Sequence, residues 1–242
     1  MGLRNRVIIL AGGLGKRLRP ISKGRAKALV KIGKEPFLHY QINYLISQKI
    51  TNFLFCIGYK AAQIIRFLKN DISRIKYDVS KEKSLLGTAG AIKNARRFLK
   101  DKSHFLVLNG DTFCKVNFDA FVGFHRNRRA LASIVIRKSQ DTSRYGSIKI
   151  NSEGRILNFS EKTGKKNQHI NCGVYCFSYK IFEYFQAFRK MPLSLEHEVF
   201  PQLIRQNLRI FGFRLGPKPF IDIGTPESYR LFKKLSLHWN LR

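Results

Sequence analysis

Hydrophobic positions fall into two rhythms along the chain. An apolar run over residues 6–11 ends at a glycine turn, and a run this short without alternation predicts a strand buried on both faces. Apolar side chains at helical spacing then predict a helix over 37–46, followed by a strand over 53–57 and a helix over 61–68. A strand over 75–79, a helix over 88–99 and a strand over 105–108 continue the alternation. Strand and helix alternating at this spacing predict parallel βαβ units with right-handed crossovers. Past about residue 117 the rhythm changes to a helix over 118–128 and strand-like runs over 131–136, 147–150, 156–159 and 171–177. Helices over 179–187 and 195–206, strands over 208–213 and 220–223, and a helix after Pro226 complete the pattern. No linker, low-complexity tract or internal repeat interrupts it, so residues 1–242 read as one α/β domain with a mixed, mostly parallel sheet.

Composition adds little to this until charge is counted. Hydrophobic residues make up 44%, enough for a packed core and against a disordered chain. No apolar run nears the ~20 residues of a membrane helix. The five apolar residues after Arg6 are too few for a signal peptide, and Arg6 stands where myristoylation needs Ser or Thr. Cys56, Cys114, Cys172 and Cys176 are scattered; the last two have a spacing that shares one strand face and matches no zinc pattern. Reduced thiols and no targeting segment lead us to expect a cytoplasmic protein. Lys plus Arg number 46 against 15 Asp plus Glu, a net charge of +31. No acid precedes Glu35, while ten basic residues do. Such a balance fits a polyanionic partner, whether a phosphate-rich small molecule, nucleic acid or an anionic membrane face, or else a solvated basic surface.

The candidate chemistry begins with Leu10-Ala11-Gly12-Gly13-Leu14-Gly15-Lys16-Arg17-Leu18-Arg19-Pro20. Glycines directly after a strand let backbone N–H groups approach a phosphate chain, and the basic residues that follow neutralise it. Leu18 departs from a dinucleotide fingerprint, and Arg17 stands where a Walker A loop needs Ser or Thr. Lys27, with Lys16, Arg17 and Arg19, favours a triphosphate. Asp111 ends one hydrophobic strand and Asp222 interrupts another apolar run, where carboxylates have no packing purpose. Each is either a cap or salt-bridged group, or half of a Mg²⁺ site built from hard oxygens. The six histidines have no ligand spacing and read as structural or surface residues.

Together these motifs resemble those of the sugar-1-phosphate nucleotidyltransferases. The stretch 8–29 is similar to that family's signature, and Glu82 with Leu86-Gly87-Thr88-Ala89-Gly90 to its base-recognition loop. Asn109-Gly110-Asp111, Tyr145-Gly146, Glu161-Lys162, Asn171-x-Gly173-x-Tyr175 and Asp222-Ile223-Gly224-Thr225-Pro226 follow in the family's order. The resemblance is nearest to the D-glycero-α-D-manno-heptose 1-phosphate guanylyltransferases, with mannose-1-phosphate guanylyltransferases next. It implies a Rossmann-like, GT-A-like fold with a nucleotide-binding half to about residue 117 and a sugar-phosphate-binding half after it. The implied reaction joins an NTP and a sugar 1-phosphate into an NDP-sugar, of the kind used in lipopolysaccharide or capsule building, and releases pyrophosphate.

The resemblance also implies roles. Leu10, Ala11, Gly12, Gly13, Gly15, Lys16, Arg17 and Lys27 would bind the nucleotide, with Lys27 near the reacting centre. Lys162 would hold the sugar phosphate, and Asp111 and Asp222 a Mg²⁺ ion. Glu82, Gly87 and Thr88 would face the base, where a carboxylate can accept from guanine N1–H and N2–H₂ together, so GTP is favoured. Asn109, Gly146, Glu161, Asn171 and Gly173 would line the sugar side. One departure stands out. The family has Pro-Lys-Pro around the lysine, and here the sequence is Ala26-Lys27-Ala28, which predicts a looser loop. Alternative readings are a pyrimidine-nucleotide transferase and a non-catalytic, basic, polyanion-binding or regulatory homologue. No nucleic-acid-binding motif is present; a peripheral association with an anionic membrane and a homodimer stay open.

Overall fold

Four consecutive apolar residues make β1 (Val7–Leu10), and Val7, Ile8 and Ile9 are fully buried because the strand lies mid-sheet, covered on both faces. The computed structural model describes residues 6–72, 75–100, 103–140, 146–160 and 168–236. A helical turn, α1 (Arg19–Ser22), and a small hairpin, β2 (Lys31–Ile32) and β3 (Glu35–Pro36), lead into α2 (Phe37–Ser47). The predicted alternation follows: β4 (Asn52–Ile57), α3 (Ala61–Asp71), β5 (Lys76–Lys81), α4 (Gly87–Asn94) and β6 (His104–Asn109). Helix α3 shows the rule the others obey. Ala61, Ile64, Phe67 and Leu68 form its buried stripe, while Arg66 and Lys69 stay in solvent.

A three-residue strand, β7 (Thr112–Cys114), precedes α5 (Phe118–Asn127), whose first turn is capped by the Asn117 side chain accepting from the Ala120 amide at 3.0 Å. The second half contains β8 (Ala132–Ser139), β9 (Ser147–Ile150), β10 (Ile156–Ser160), β11 (Gln168–Ser178), α6 (Ile181–Phe185) and α7 (Phe200–Arg205). It ends with β12 (Ile210–Arg214), β13 (Phe220–Asp222) and α8 (Pro226–Ser236).

Among the described residues, nine strands form one mixed sheet in the order β10-β9-β11-β6-β1-β4-β5, with β8 on β11 and β12 on β8. Strands β6, β1, β4 and β5 are parallel, as the βαβ rhythm predicts. The second half joins through β11, which runs antiparallel to β6, β8 and β9; β12 is parallel to β8. Each sheet face carries its own core, and a third cluster gathers Leu18, Val30, Phe37, Phe113, Ile223 and Phe232 beside the β7–β13 ribbon.

Some boundaries differ from the pattern for physical reasons. The helix expected over 195–206 begins as a π-helical turn, Leu195–Val199, and Pro201, which has no N–H to give, opens α7. The helix expected over 88–99 ends at Asn94 and closes with a 3₁₀ turn, Arg96–Phe98. The alternation over 171–177 belongs to the longer β11, whose register with β8 shifts between Asn171 and Tyr175. Strands β2, β3 and β7 are too short to leave a period of their own.

Candidate active site

The antiparallel β7–β13 ribbon sets Thr112 opposite Asp222 and so brings two distant carboxylates together. Asp111 lies in the turn before β7, and the Ile223 amide donates to its carbonyl at 2.9 Å. Lys27 reaches between them. Its ammonium is ion-paired with the Asp111 carboxylate and stands 3.9 Å from Asp222 Oδ1. The Gly224 amide donates to Asp222 Oδ1 at 2.5 Å. Burial and the neighbouring Asp111 charge push the Asp222 carboxyl above its usual range, while Lys27, the Gly224 amide and Arg17 pull it back. Two mutually repelling carboxylates that already draw in a cation fit a hard divalent ion such as Mg²⁺, which takes one or two carboxylates and completes its shell with water and substrate phosphate. Among the described residues no group of three or more His, Cys, Asp or Glu is placed to hold a metal ion.

The glycine loop is strapped to its neighbours by backbone bonds. Leu10 carbonyl accepts from Gly110 at 2.9 Å, the Ala11 amide donates to Cys56 carbonyl at 2.8 Å, and Gly12 carbonyl accepts from Tyr59 at 3.2 Å. Gly15 has φ +58°, and a Cβ there would stand 3.0 Å from the Cβ of Lys27. Only glycine takes that conformation at no steric cost and lets the loop lie against the lysine. Gly13 is exposed, and Lys16 and Arg17 are exposed on the 3₁₀ turn Lys16–Leu18. Beside them opens a cavity of about 220 Å³, lined among others by Arg19, Arg25, Lys27, Tyr59 and Lys60. Four cations and no carboxylate in that lining suit a polyphosphate.

Glu82 follows β5, its amide donating to Ile57 carbonyl at 2.8 Å. Its carboxylate lies over Gly12, where a Cβ would come within 2.7 Å of Oε1. Burial raises the Glu82 pKa, and the Leu86 amide, donating to Oε2 at 3.3 Å, works against that rise. Among the described residues no ion pair joins it to Lys81 or Lys83. Gly87 abuts the backbone of Leu193, and the Thr88 hydroxyl accepts from the Leu195 amide at 2.8 Å and donates to Glu196 Oε2 at 3.2 Å. The Gly87-Thr88 turn is thus braced on residues 193–196, and the Thr88 hydroxyl is used in that bracing.

Asn109 at the end of β6 faces Gly173, which sits at the β11 irregularity; a Cβ there would lie 2.7 Å from Asn109 Nδ2. Asn171 accepts from the Gly173 amide at 2.8 Å and donates to the Tyr175 hydroxyl at 2.8 Å, which donates in turn to Glu196 Oε1 at 2.7 Å. Both arms of Asn171 therefore serve the protein's own network. Gly146 stands just before β9, while Glu161 and Lys162 lie outside the described residues.

The sequence profile described as "Nucleotidyl transferase" matches residues 6–236. The chain belongs to the nucleotidyl transferase family. This nucleotidyl transferase is 34% identical over 227 residues to a D-glycero-alpha-D-manno-heptose 1-phosphate guanylyltransferase of Campylobacter jejuni, covering 93% of the chain and 97% of that relative. It is 32% identical to the mannose-1-phosphate guanylyltransferase catalytic subunit beta of Drosophila pseudoobscura, over 95% of the chain but 62% of the longer relative. The crystal structure of HddC from Yersinia pseudotuberculosis complexed with GMP-PN superposes with a TM-score of 0.82 at 33% identity, covering 95% and 98% of the two chains.

Three residues of this nucleotidyl transferase escaped the motif reading. Gln41 is 2% exposed and donates to the carbonyls of Asn109 (2.8 Å) and Thr112 (2.7 Å), gripping both flanks of Asp111. A signal was available, since Gln41 is a polar residue on the stripe Phe37, Leu38, Ile42, Leu45 that α2 buries. Glu196 ties Thr88 to Tyr175 from a segment whose period is masked by the π turn. Gln63, on the first turn of α3, bonds to the loop that carries Lys27; an amphipathic pattern marks it only as a surface position.

Proposed function

We propose that this nucleotidyl transferase moves the guanylyl unit of GTP onto a manno-configured heptose 1-phosphate or mannose 1-phosphate and releases pyrophosphate. The observation that carries the reading is the Asp111–Lys27–Asp222 constellation beside a glycine loop and a cavity lined by cations. Likeness to guanylyltransferases along nearly the whole chain supports the choice of base. A Mg²⁺ ion bound by Asp111 and Asp222 would supply charge neutralisation at the reacting phosphate. Lys27 orients phosphate oxygens against the same carboxylates, and Lys16, Arg17 and Arg19 hold the triphosphate tail. A sugar-1-phosphate oxygen then attacks the α-phosphorus in line. Positioning and electrostatics do most of the work, since phosphoryl-type transfers need little covalent help. Glu82, over Gly12, accepts from guanine N1–H and N2–H₂, and those two donors offset the burial that disfavours its ionised form. Asn109, Gly173 and Gly146 receive the sugar, and the resemblance gives Glu161 and Lys162, outside the described residues, the roles of sugar and phosphate binding. The product feeds cytoplasmic assembly of surface glycans such as lipopolysaccharide or capsule.

The test is pyrophosphate release with Mg²⁺, using GTP, CTP, UTP, dTTP and ATP against heptose, mannose and glucose 1-phosphates. The expected result is turnover with GTP and a manno-configured sugar, lost in Asp111→Ala. Turnover with a pyrimidine nucleotide alone refutes the Glu82 reading, and silence throughout refutes catalysis.

A further inference from the structure

Lys27 rides on a loop whose neighbours, Ala26 and Ala28, carry no ring to hold the backbone, yet both are almost fully buried. What holds the loop is the first turn of α3. The Ala26 amide donates to Gln63 Oε1 at 2.8 Å, and Gln63 Nε2 donates to Gly24 carbonyl at 3.0 Å. Lys60 Nζ adds a bond to the same Gly24 carbonyl at 2.6 Å. We propose that Gln63, assisted by Lys60, is the positioning residue that sets Lys27 between Asp111 and Asp222, replacing a backbone constraint the loop lacks. The inference rests on the role given above to Lys27.

Three observations argue for positioning rather than general packing. The bonds reach residues 24 and 26, directly before the lysine, so a slip there moves its ammonium relative to both carboxylates. The same chain segment also holds the glycine loop, since the Tyr59 amide donates to Gly12 carbonyl at 3.2 Å. Residues 58–63 thus register both phosphate-facing loops against one strand end. Finally, Ala26 sits at φ −58° and ψ 142°, a conformation that a proline ring would hold unaided. Alanine keeps the amide that proline lacks, and Gln63 uses that amide. Gln63 itself is only partly buried, so its side chain is placed for bonding rather than for filling the core.

The experiment compares four forms of the full chain: wild type, Gln63→Met, Ala26→Pro and the double variant. Gln63→Met keeps the side-chain length and removes both bonds. Its kcat should fall about tenfold, the scale of a misplacement of a fraction of an ångström where a full ångström can cost roughly a hundredfold, with a melting temperature lowered by only a few degrees. Ala26→Pro should stay within roughly twofold of wild type, because its ring supplies the φ restraint. In that background most of the cost of Gln63→Met should vanish. Amide hydrogen exchange at Ala26, followed by NMR, should speed up at least roughly tenfold in Gln63→Met once the bond is gone. An unchanged exchange rate overturns the proposal whatever the activity does. So does an equal loss of kcat in the alanine and proline backgrounds, which would mark Gln63 as acting elsewhere. Lys27→Met serves as the separate control. If it stays active, the role of Lys27 fails, while the exchange measurement still judges the Gln63 bond.

Discussion

Replacing Gln41 with leucine tests how the Asp111 turn is held. Leucine has nearly the same volume, so the substitution removes polarity from a site that is 2% exposed without opening a large cavity. Two hydrogen bonds disappear, those to the carbonyls of Asn109 and Thr112 at 2.8 and 2.7 Å. One liability disappears with them, because Gln41 Oε1 is buried with no hydrogen-bond partner among the described residues. Each lost bond costs about 1–1.5 kcal/mol and relief of the orphaned oxygen returns about 1 kcal/mol, leaving a net loss of about 1–2 kcal/mol. For a domain of this size that lowers the melting temperature by about 2–8 °C. The effect on turnover should be larger than stability alone explains, since both bonds clamp the peptide units around Asp111. Pyrophosphate release measured well below the melting point should show kcat down about tenfold or more. Unchanged melting would mean that water satisfies the two carbonyls. A lowered melting temperature with unchanged kcat would refute the idea that Gln41 orients Asp111.

Other perturbations should behave as follows. Gly15→Ala must adopt φ +58° and place a methyl 3.0 Å from Lys27 Cβ, so it should cost about 1–2 kcal/mol in backbone strain and displace the lysine; retained full activity would sink this account of the loop. Phe232, fully buried, has ring centroids 5.2 Å from Phe37 and 5.5 Å from Phe113, so Phe232→Ala should destabilise by about 3–5 kcal/mol in denaturant melts. Burial and the nearby His104 push His125 down to about 4, with its Nδ1 2.9 Å from Ser133 Oγ. The unfolded chain therefore takes up the proton first as pH falls from 6.5 towards 4, and stability should drop by up to about 3 kcal/mol over that window. His125→Gln should flatten this acid limb of the melting profile, and an identical limb would assign it to other groups.

The sequence made most of the first half legible because β1, β4 and β6 are continuous apolar runs and helices α2 and α3 carry a buried apolar stripe. Asp111 and Asp222 were legible too, as carboxylates with no packing purpose among apolar neighbours and, through the family resemblance, as a pair, but the backbone geometry that joins them was not. It depends on β7, a three-residue strand with no period, pairing with β13 across more than a hundred residues. The bracing of Thr88 by Glu196 was hidden for a similar reason, since Glu196 lies in a π turn that breaks the helical spacing. The loop around Lys27 shows where local reading stops. Alanine at 26 reads as a lost restraint, while the bond to its amide comes from a glutamine 37 residues away. Local pattern reports which backbone conformations are cheap. It does not report which distant side chain closes a bond.

The β7–β13 ribbon also fixes when the two carboxylates can meet. Its two carboxylates belong to segments synthesised far apart in time, and closing a loop over such a separation carries an entropic cost. A nascent chain exposed as far as Asp111 holds all four parallel strands, yet it has only half of the carboxylate pair. Translation must pass residue 222 before the second arrives. Proteolysis between the ribbon's two strands would not sever it outright, but loss of the segment after residue 219 would leave Lys27 paired with Asp111 alone. Under the role proposed for the carboxylate pair, an unfinished or clipped molecule resembles the full chain in most of its sheet and lacks half of its site.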